Sequence, residues 1–240
     1  MKLLGLVIQS LPYLLLGAVQ TLKITLVAVS LGCILGLVAG MGRLSRRRLT
    51  SFLATCYVDF FRGTPLLVQI FIVYYGFPQL LDEGQKFLMA SLGMPQLLQT
   101  THIPVFVAAT LATSLNSGAY VAEIFRAGIQ SIERGQVEAA RSLGMTEGQT
   151  MRYIVLPQAF KRVIPPLGNE FIAMLKDTSL LSVIGYVELT RQGQLISGAT
   201  FKPLQIYFGV ALIYLIMTFT ISRLVDYLER RLKTGDLDRS

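Results

Sequence analysis

Tryptophan is absent from the 240 residues, histidine occurs once, cysteine twice, and only 15% of positions are charged. So little charge excludes an ordinary soluble domain, where about 25% of residues are Asp, Glu, Lys or Arg. Cys33 and Cys56 lie far apart in apolar stretches, without the close pairing of a metal knuckle, and read as small buried hydrophobes. His102 has no nucleophile–base partner around it. No catalytic residue and no metal ligand is therefore assigned. The chain also lacks a Gly-x4-Gly-Lys-Ser/Thr phosphate loop, so it does not carry that machinery for nucleotide hydrolysis. With no tryptophan, the 10 tyrosines are left to populate an interfacial aromatic belt.

Apolar runs dominate what is there. Hydrophobic residues make up 52% of the chain, and mean hydropathy is +0.56. The runs sort into about five transmembrane helices, each long enough for a bilayer crossing of roughly 20 residues. They fall near Pro12–Met41, Ser51–Leu81, Pro104–Ile129, Arg162–Ile184 and Leu204–Leu228. The fold class expected is an all-α membrane protein, with residues 1–240 forming a single transmembrane domain. Met1-Lys2 and the run Leu3–Leu16 resemble a signal peptide, but no small-x-small pattern closes the run, so a retained first helix is expected. Gly32, Gly36 and Gly40, four apart, form a smooth ridge for close helix packing. Pro165-Pro166 predicts a kink or break in the fourth span.

Net charge is +8, yet the basic residues cluster beside the apolar runs rather than forming a nucleic-acid patch. Arg43, Arg46, Arg47 and Arg48 follow span one. Arg134, Arg141, Arg152, Lys161 and Arg162 follow span three, and Arg230, Arg231, Lys233 and Arg239 close the chain. The stretches Asp82–Ile103 and Glu188–Lys202 are poor in Lys and Arg. The positive-inside bias then places the N-terminus outside and the C-terminus in the cytoplasm, as an odd span count requires.

The loop between spans three and four, about 131–157, has the clearest local grammar. Glu138 to Leu143 favour a short helix with a Glu138–Arg141 pair at i,i+3. Gly144 suits the left-handed residue that ends it, and Thr146 with Gln149 makes a capping box for a second helix, closed by Pro157. This is either a knob projecting into the cytoplasm or an amphipathic hairpin flat on the membrane. Glu138-Ala139-Ala140, Gly144, Ile154, Leu156 and Pro157 resemble the EAA loop of binding-protein-dependent ATP-binding-cassette (ABC) importers at that family's spacing. Phe61-Arg62-Gly63-Thr64-Pro65-Leu66-Leu67, Asn116 to Ile124, Gly168-Asn169-Glu170-Phe171 and Lys176 to Leu180 resemble its polar amino-acid branch, of histidine, glutamine and arginine type.

That resemblance implies a type I importer permease of the bacterial plasma (inner) membrane, carrying polar amino acids such as glutamine or basic ones. It implies docking on two ATP-binding subunits through Glu138, Ala139, Ala140, Gly144, Leu156 and Pro157. ATP and magnesium would sit on those subunits, leaving this chain without a cofactor or enzymatic activity. A second permease subunit, identical or related, and an extracytoplasmic binding protein complete the expected partners; nucleic acid is not among them. An ion-coupled secondary transporter is the alternative, but it commonly shows internal repeats, which are absent here, and leaves the loop unexplained.

Ionisable residues at bilayer depth cost about 2.5–3.5 kcal/mol on insertion scales and are functional candidates. Counting at 1.5 Å per residue puts Glu170 ~12 Å from the cytoplasmic edge, Arg62 ~16 Å in, and Asn116 ~18 Å below the outer edge. These levels coincide, whereas Glu123 and Arg126 fall near the inner edge. A midplane amino-acid site then has Glu170 for the ammonium or guanidinium, Thr21, Asn116 and Ser117 for neutral hydrogen bonds, and Arg62 for the carboxylate. The competing reading has Arg62 bracing the bundle through Asp59 or Glu170.

Overall fold

The computed structural model describes residues 2–93, 95 and 102–237, with side chains over 5–93, 95 and 102–231. Arg239 of the basic tail lies outside the described residues, as does the side chain of Lys233. The described chain is helical throughout: α1 (Lys2–Arg43), α2 (Arg48–Gly63), α3 (Leu66–Phe71), α4 (Phe77–Leu92) and α5 (Val105–Gln130) come first. They are followed by α6 (Arg134–Ser142), α7 (Glu147–Thr150), α8 (Leu156–Asp177), α9 (Leu189–Thr200) and α10 (Pro203–Leu237). Wide π turns join α3 to α4 and α7 to α8, and a 3-10 segment, Thr178–Ile184, follows α8.

Helices α1, α5 and α10 are long and apolar enough to cross a membrane. The second expected span is not straight. It breaks after Gly63, and α2 meets the following helical stretch at 109°. Pro65 disfavours helix at the residue before it, and Thr64 and Pro65 accordingly take extended backbone. If that bent pair is one crossing, four result. The fourth expected span lies in α8 and the 3-10 segment, where α8 carries five charged residues, Lys161, Arg162, Glu170, Lys176 and Asp177. Its prolines do not break it: α8 runs on through Pro165 and Pro166. Pro157 likewise does not close the second loop helix but sits in the first turn of α8, where its missing N–H is no loss.

The packing centre is the α1–α5 pair. A methyl group on Gly36 would lie 2.6 Å from Val121 Cγ1 and 2.8 Å from the Gly118 carbonyl oxygen, and one on Gly32 would lie 2.8 Å from Ser117 Cβ. The glycine ridge thus brings two backbones together, the small-residue contact that replaces hydrophobic driving force inside lipid. α2 joins through Tyr57, whose hydroxyl donates to the Leu115 carbonyl at 2.7 Å. A second apolar cluster of Leu14, Ala18, Leu189, Ile206, Val210 and Ile213 ties the N-terminal half of α1 to α9 and α10. Replacing Gly36 with Ala is expected to lower stability by about 1–3 kcal/mol, the usual cost of overpacking. Thermal unfolding of the detergent-solubilised protein checks this, with Gly76→Ala as a control, since a methyl there meets nothing closer than 4.0 Å.

Candidate functional site

The break between α2 and α3 is stabilised from within. Gln69, buried on α3, directs its amide nitrogen at the Phe61 carbonyl (2.8 Å), the Thr64 carbonyl (3.0 Å) and the Thr64 hydroxyl (2.9 Å). Its oxygen accepts from Asn116 Nδ2 at 2.9 Å. One side chain therefore caps the end of α2 and fastens that corner to α5. On the adjoining turn of α5, the Ser117 hydroxyl donates to Glu170 Oε1 of α8 at 2.9 Å.

These groups border a cavity of about 370 Å³ whose wall includes Thr64, Pro65, Asn116, Tyr120, Glu170 and Asp177. Two carboxylates face it, and no cationic side chain is among its lining residues. Chemically, the cavity suits a cation with hydrogen-bond donors. Of the five pathway candidates, Asn116 and Glu170 line it, and Ser117 orients Glu170 from behind. Tyr120 and Gln69 were not among the candidates, and Asp177, an ionisable residue of the same span as Glu170, was expected nearer the outer edge. Gln69 is neutral and isolated in sequence, so only the fold reveals its role.

Arg62 and Thr21 lie elsewhere. A depth count puts Arg62 level with Glu170, but in the fold its side chain turns toward Glu123, 3.6 Å away. Its brace is thus neither Asp59 nor Glu170. Glu123 also pairs with Arg43 at 2.9 Å and takes both oxygens to Arg126, while Asp59 sits 3.8 Å from Arg43. Arg62 stands 5.6 Å over the Tyr120 ring and borders a neighbouring cavity of about 430 Å³ with Arg162. Tyr120 is common to both cavities. Thr21 is fully buried, and its hydroxyl faces Glu188 and the Leu189 amide.

The loop folds as a helix, a left-handed glycine and a second helix. α6 ends at a Gly144 with φ +82°, closed by Met145 N–H to Ala140 O (3.1 Å) and Gly144 N–H to Arg141 O (2.9 Å). Thr146 and Gln149 form the reciprocal capping box. Two details differ from expectation. α6 begins earlier, at Arg134, and among the described residues no ion pair joins Glu138 to Arg141. Glu147 instead binds Arg46 of the α1–α2 corner, at 2.6 and 2.9 Å. Ile132, Val155 and Ala159, with Ile129 and Val137, seat the loop on the ends of α5 and α8. Glu138, Ala139, Gly144, Leu156 and Pro157 are exposed, Ala140 is buried, and Leu143 is 85% exposed at the tip.

The family described as the binding-protein-dependent transport system inner membrane component matches residues 32–234. The chain belongs to that family. It is 38% identical to the glutamine transport system permease protein GlnP of Escherichia coli (strain K12), over 93% of this chain and 94% of that one. It is also 38% identical to the arginine transport system permease protein ArtQ of Bacillus subtilis (strain 168), over 95% and 96%. A crystal structure of an amino acid ABC transporter with histidines superposes with TM-score 0.81 at 42% identity, covering 93% of this chain and 96% of that chain. This permease is the inner-membrane component of a binding-protein-dependent ABC amino-acid importer, with the type I importer fold.

In this permease, Gln69→Leu leaves the Asn116 amide and two carbonyls at the α2 end without their partner. Each orphaned buried polar group costs about 1–3 kcal/mol. The variant is expected to unfold at visibly lower temperature in detergent, and Gln69→Glu, which keeps the acceptor for Asn116 but not the donors, to recover only part of the loss.

Proposed function

We propose that the cavity holding Glu170 and Asp177 is the membrane site for a basic amino acid, and that the α6–α7 loop is the ATPase dock. The carrying observation is the sign of the cavity: two carboxylates face it, and no cationic side chain is among its lining residues. Glu170 would take the guanidinium or ammonium of the side chain, with Asp177 beside it, and Asn116 would supply a neutral hydrogen bond. Ser117 holds the Glu170 carboxylate in place. Arg62, across Tyr120, would meet the substrate carboxylate on its way between the two cavities; its tie to Glu123 is long, at 3.6 Å, and leaves donors free. Thr21 has no part in this path, because its hydroxyl is committed to Glu188 and Leu189.

Glu138, Ala139 and Gly144 present the docking face, with Leu143 as its apolar anchor and Ala140 packed beneath as support. Leu156 and Pro157 carry the same surface onto α8. The loop faces the cytoplasm in this reading, as its Arg and Lys content favours, so the N-terminus is outside and the C-terminus inside. Two ATP-binding subunits hydrolyse ATP with magnesium, a second permease copy or related chain closes the pathway, and an extracytoplasmic receptor delivers the amino acid. Residues 1–240 act as one transmembrane unit, which rocks between outward-open and inward-open states as the ATPases close. This chain itself needs no cofactor.

Glu170→Gln removes a charge-assisted hydrogen bond worth about 1.5–3 kcal/mol. The KM for arginine uptake is expected to rise by roughly 10- to 100-fold, with ATPase turnover of the complex retained and glutamine uptake less affected. Unchanged uptake of every amino acid tested would sink the site. Leu143→Asp places an ion in the docking face and is expected to abolish co-purification of the ATP-binding subunits from membranes. Full co-purification and coupled transport would rule the dock out.

A further inference from the structure

Glu188 is the most enclosed carboxylate of the described chain, with 0% exposure, and no basic side chain pairs with it. It precedes α9 and serves as the N-cap of that 12-residue helix. Oε1 accepts the Arg191 amide at 2.7 Å, and Oε2 accepts the Thr190 amide at 2.8 Å. The Tyr214 hydroxyl of α10 donates to Oε2 at 2.9 Å, and the Thr21 hydroxyl of α1 approaches the same oxygen at 3.5 Å. Thr21 Oγ1 also accepts the Leu189 amide at 3.2 Å, and the hydroxyls of Tyr214 and Thr190 lie 3.1 Å apart. Three helices thus meet on one carboxylate, each through a donor.

The segment this junction secures leads directly to the cavity. From Asp177 the chain passes through the 3-10 segment Thr178–Ile184 and the left-handed Gly185 (φ +83°) to Glu188. Asp177 and Leu180 belong to the cavity wall. A 3-10 segment has poor hydrogen-bond geometry of its own, so its placement depends on how its two ends are held. One end is α8. At the other, Gln194 Nε2 of α9 donates to Ser182 Oγ at 3.2 Å, while Glu188 fixes α9 to α1 and α10.

We propose that Glu188 is a positioning residue for substrate affinity: its carboxylate pins the α8–α9 turn and thereby holds the Asp177–Leu180 wall against the bound amino acid. The proposal rests on the reading of that cavity as the substrate site. The chemistry demands a carboxylate rather than any polar group. Glutamine has the same shape, but its NH2 would face an N–H or O–H donor where an oxygen now accepts, and a buried donor left opposite a donor is unfavourable. Tyr214→Phe removes one donor and leaves both backbone amides bound to Glu188, whereas Thr21→Val removes a donor and also takes the acceptor from the Leu189 amide.

The test uses the assembled transporter, with its ATP-binding subunits and receptor, in liposomes. Arginine uptake is resolved into KM and maximal rate. In parallel, a thiol introduced by Leu180→Cys, with Cys33→Ala and Cys56→Ala, is labelled without substrate. Glu188→Gln is expected to raise KM by about tenfold, the equivalent of one lost charge-assisted hydrogen bond. The maximal rate should stay within about twofold, and the labelling rate at position 180 should change. Tyr214→Phe should shift both readouts the same way by less, and it carries the test if Glu188→Gln does not assemble. Folded variants that lose thermal stability but leave KM and labelling unchanged would overturn the proposal, reducing Glu188 to a structural cap. Running Glu170→Gln beside them separates the two ideas. If it leaves affinity untouched while Glu188→Gln alters labelling, the site assignment fails and the pin remains.

Discussion

The contact on which the rest of this permease depends is the backbone-to-backbone approach of α1 and α5. Water does not drive helices together inside lipid, so close approach must supply dispersion contacts that larger side chains would prevent. Gly32, Gly36 and Gly118 clear that space. The pairing also sets what lies at each level of α5: Ser117 faces Glu170, Asn116 faces Gln69, and Glu123 faces Arg43 near the end of α1. Had the ridge slipped by one turn, the Glu123–Arg43 pair between these two helices would not meet.

Two of the polar junctions in this bundle sit where the helical backbone is interrupted. The break after Gly63 exposes carbonyls, and Gln69 takes them up. The turn before α9 exposes amides, and Glu188 takes those up. Broken helices are tolerated at membrane depth only when protein or a cavity satisfies the freed groups, and the cavity lies between the two interruptions. No cationic side chain is among its lining residues, and Glu170 keeps one oxygen without a partner in the described chain.

Much of this was legible from residues alone. The glycine ridge, the helix–Gly–helix loop and its capping box depend on neighbours within a few positions, where sequence spacing maps directly onto geometry. Asn116 and Glu170 were matched in depth because both lie on nearly straight helices. Arg62 was not placed by depth alone, since a rise of 1.5 Å per residue gives a level along the axis and not which neighbours, here Glu123 and Tyr120, the side chain meets. Pro165 and Pro166 mark no break, because neighbouring helices hold α8 in line; Gly168 lets Val225 of α10 come within contact there. Thr21 read as a pathway hydroxyl because Glu188, 167 positions away, is visible only in the fold. Gln69 gave no signal at all: a single amide beside a Pro break resembles any polar residue of a helix start.

The cluster around Glu123 has an implication for how this protein tolerates change. One carboxylate serves Arg43, Arg62 and Arg126, which come from three different helices. Substitutions within such a shared group do not add. Losing any one arginine leaves two claimants for the same oxygens, so its individual effect is buffered. Losing the acid strands three like charges within reach of one another. Drift at this level of the bundle is therefore lopsided, with the cations interchangeable in part and the anion fixed. A chain that had already lost Glu123 would be relieved, rather than harmed, by losing an arginine next.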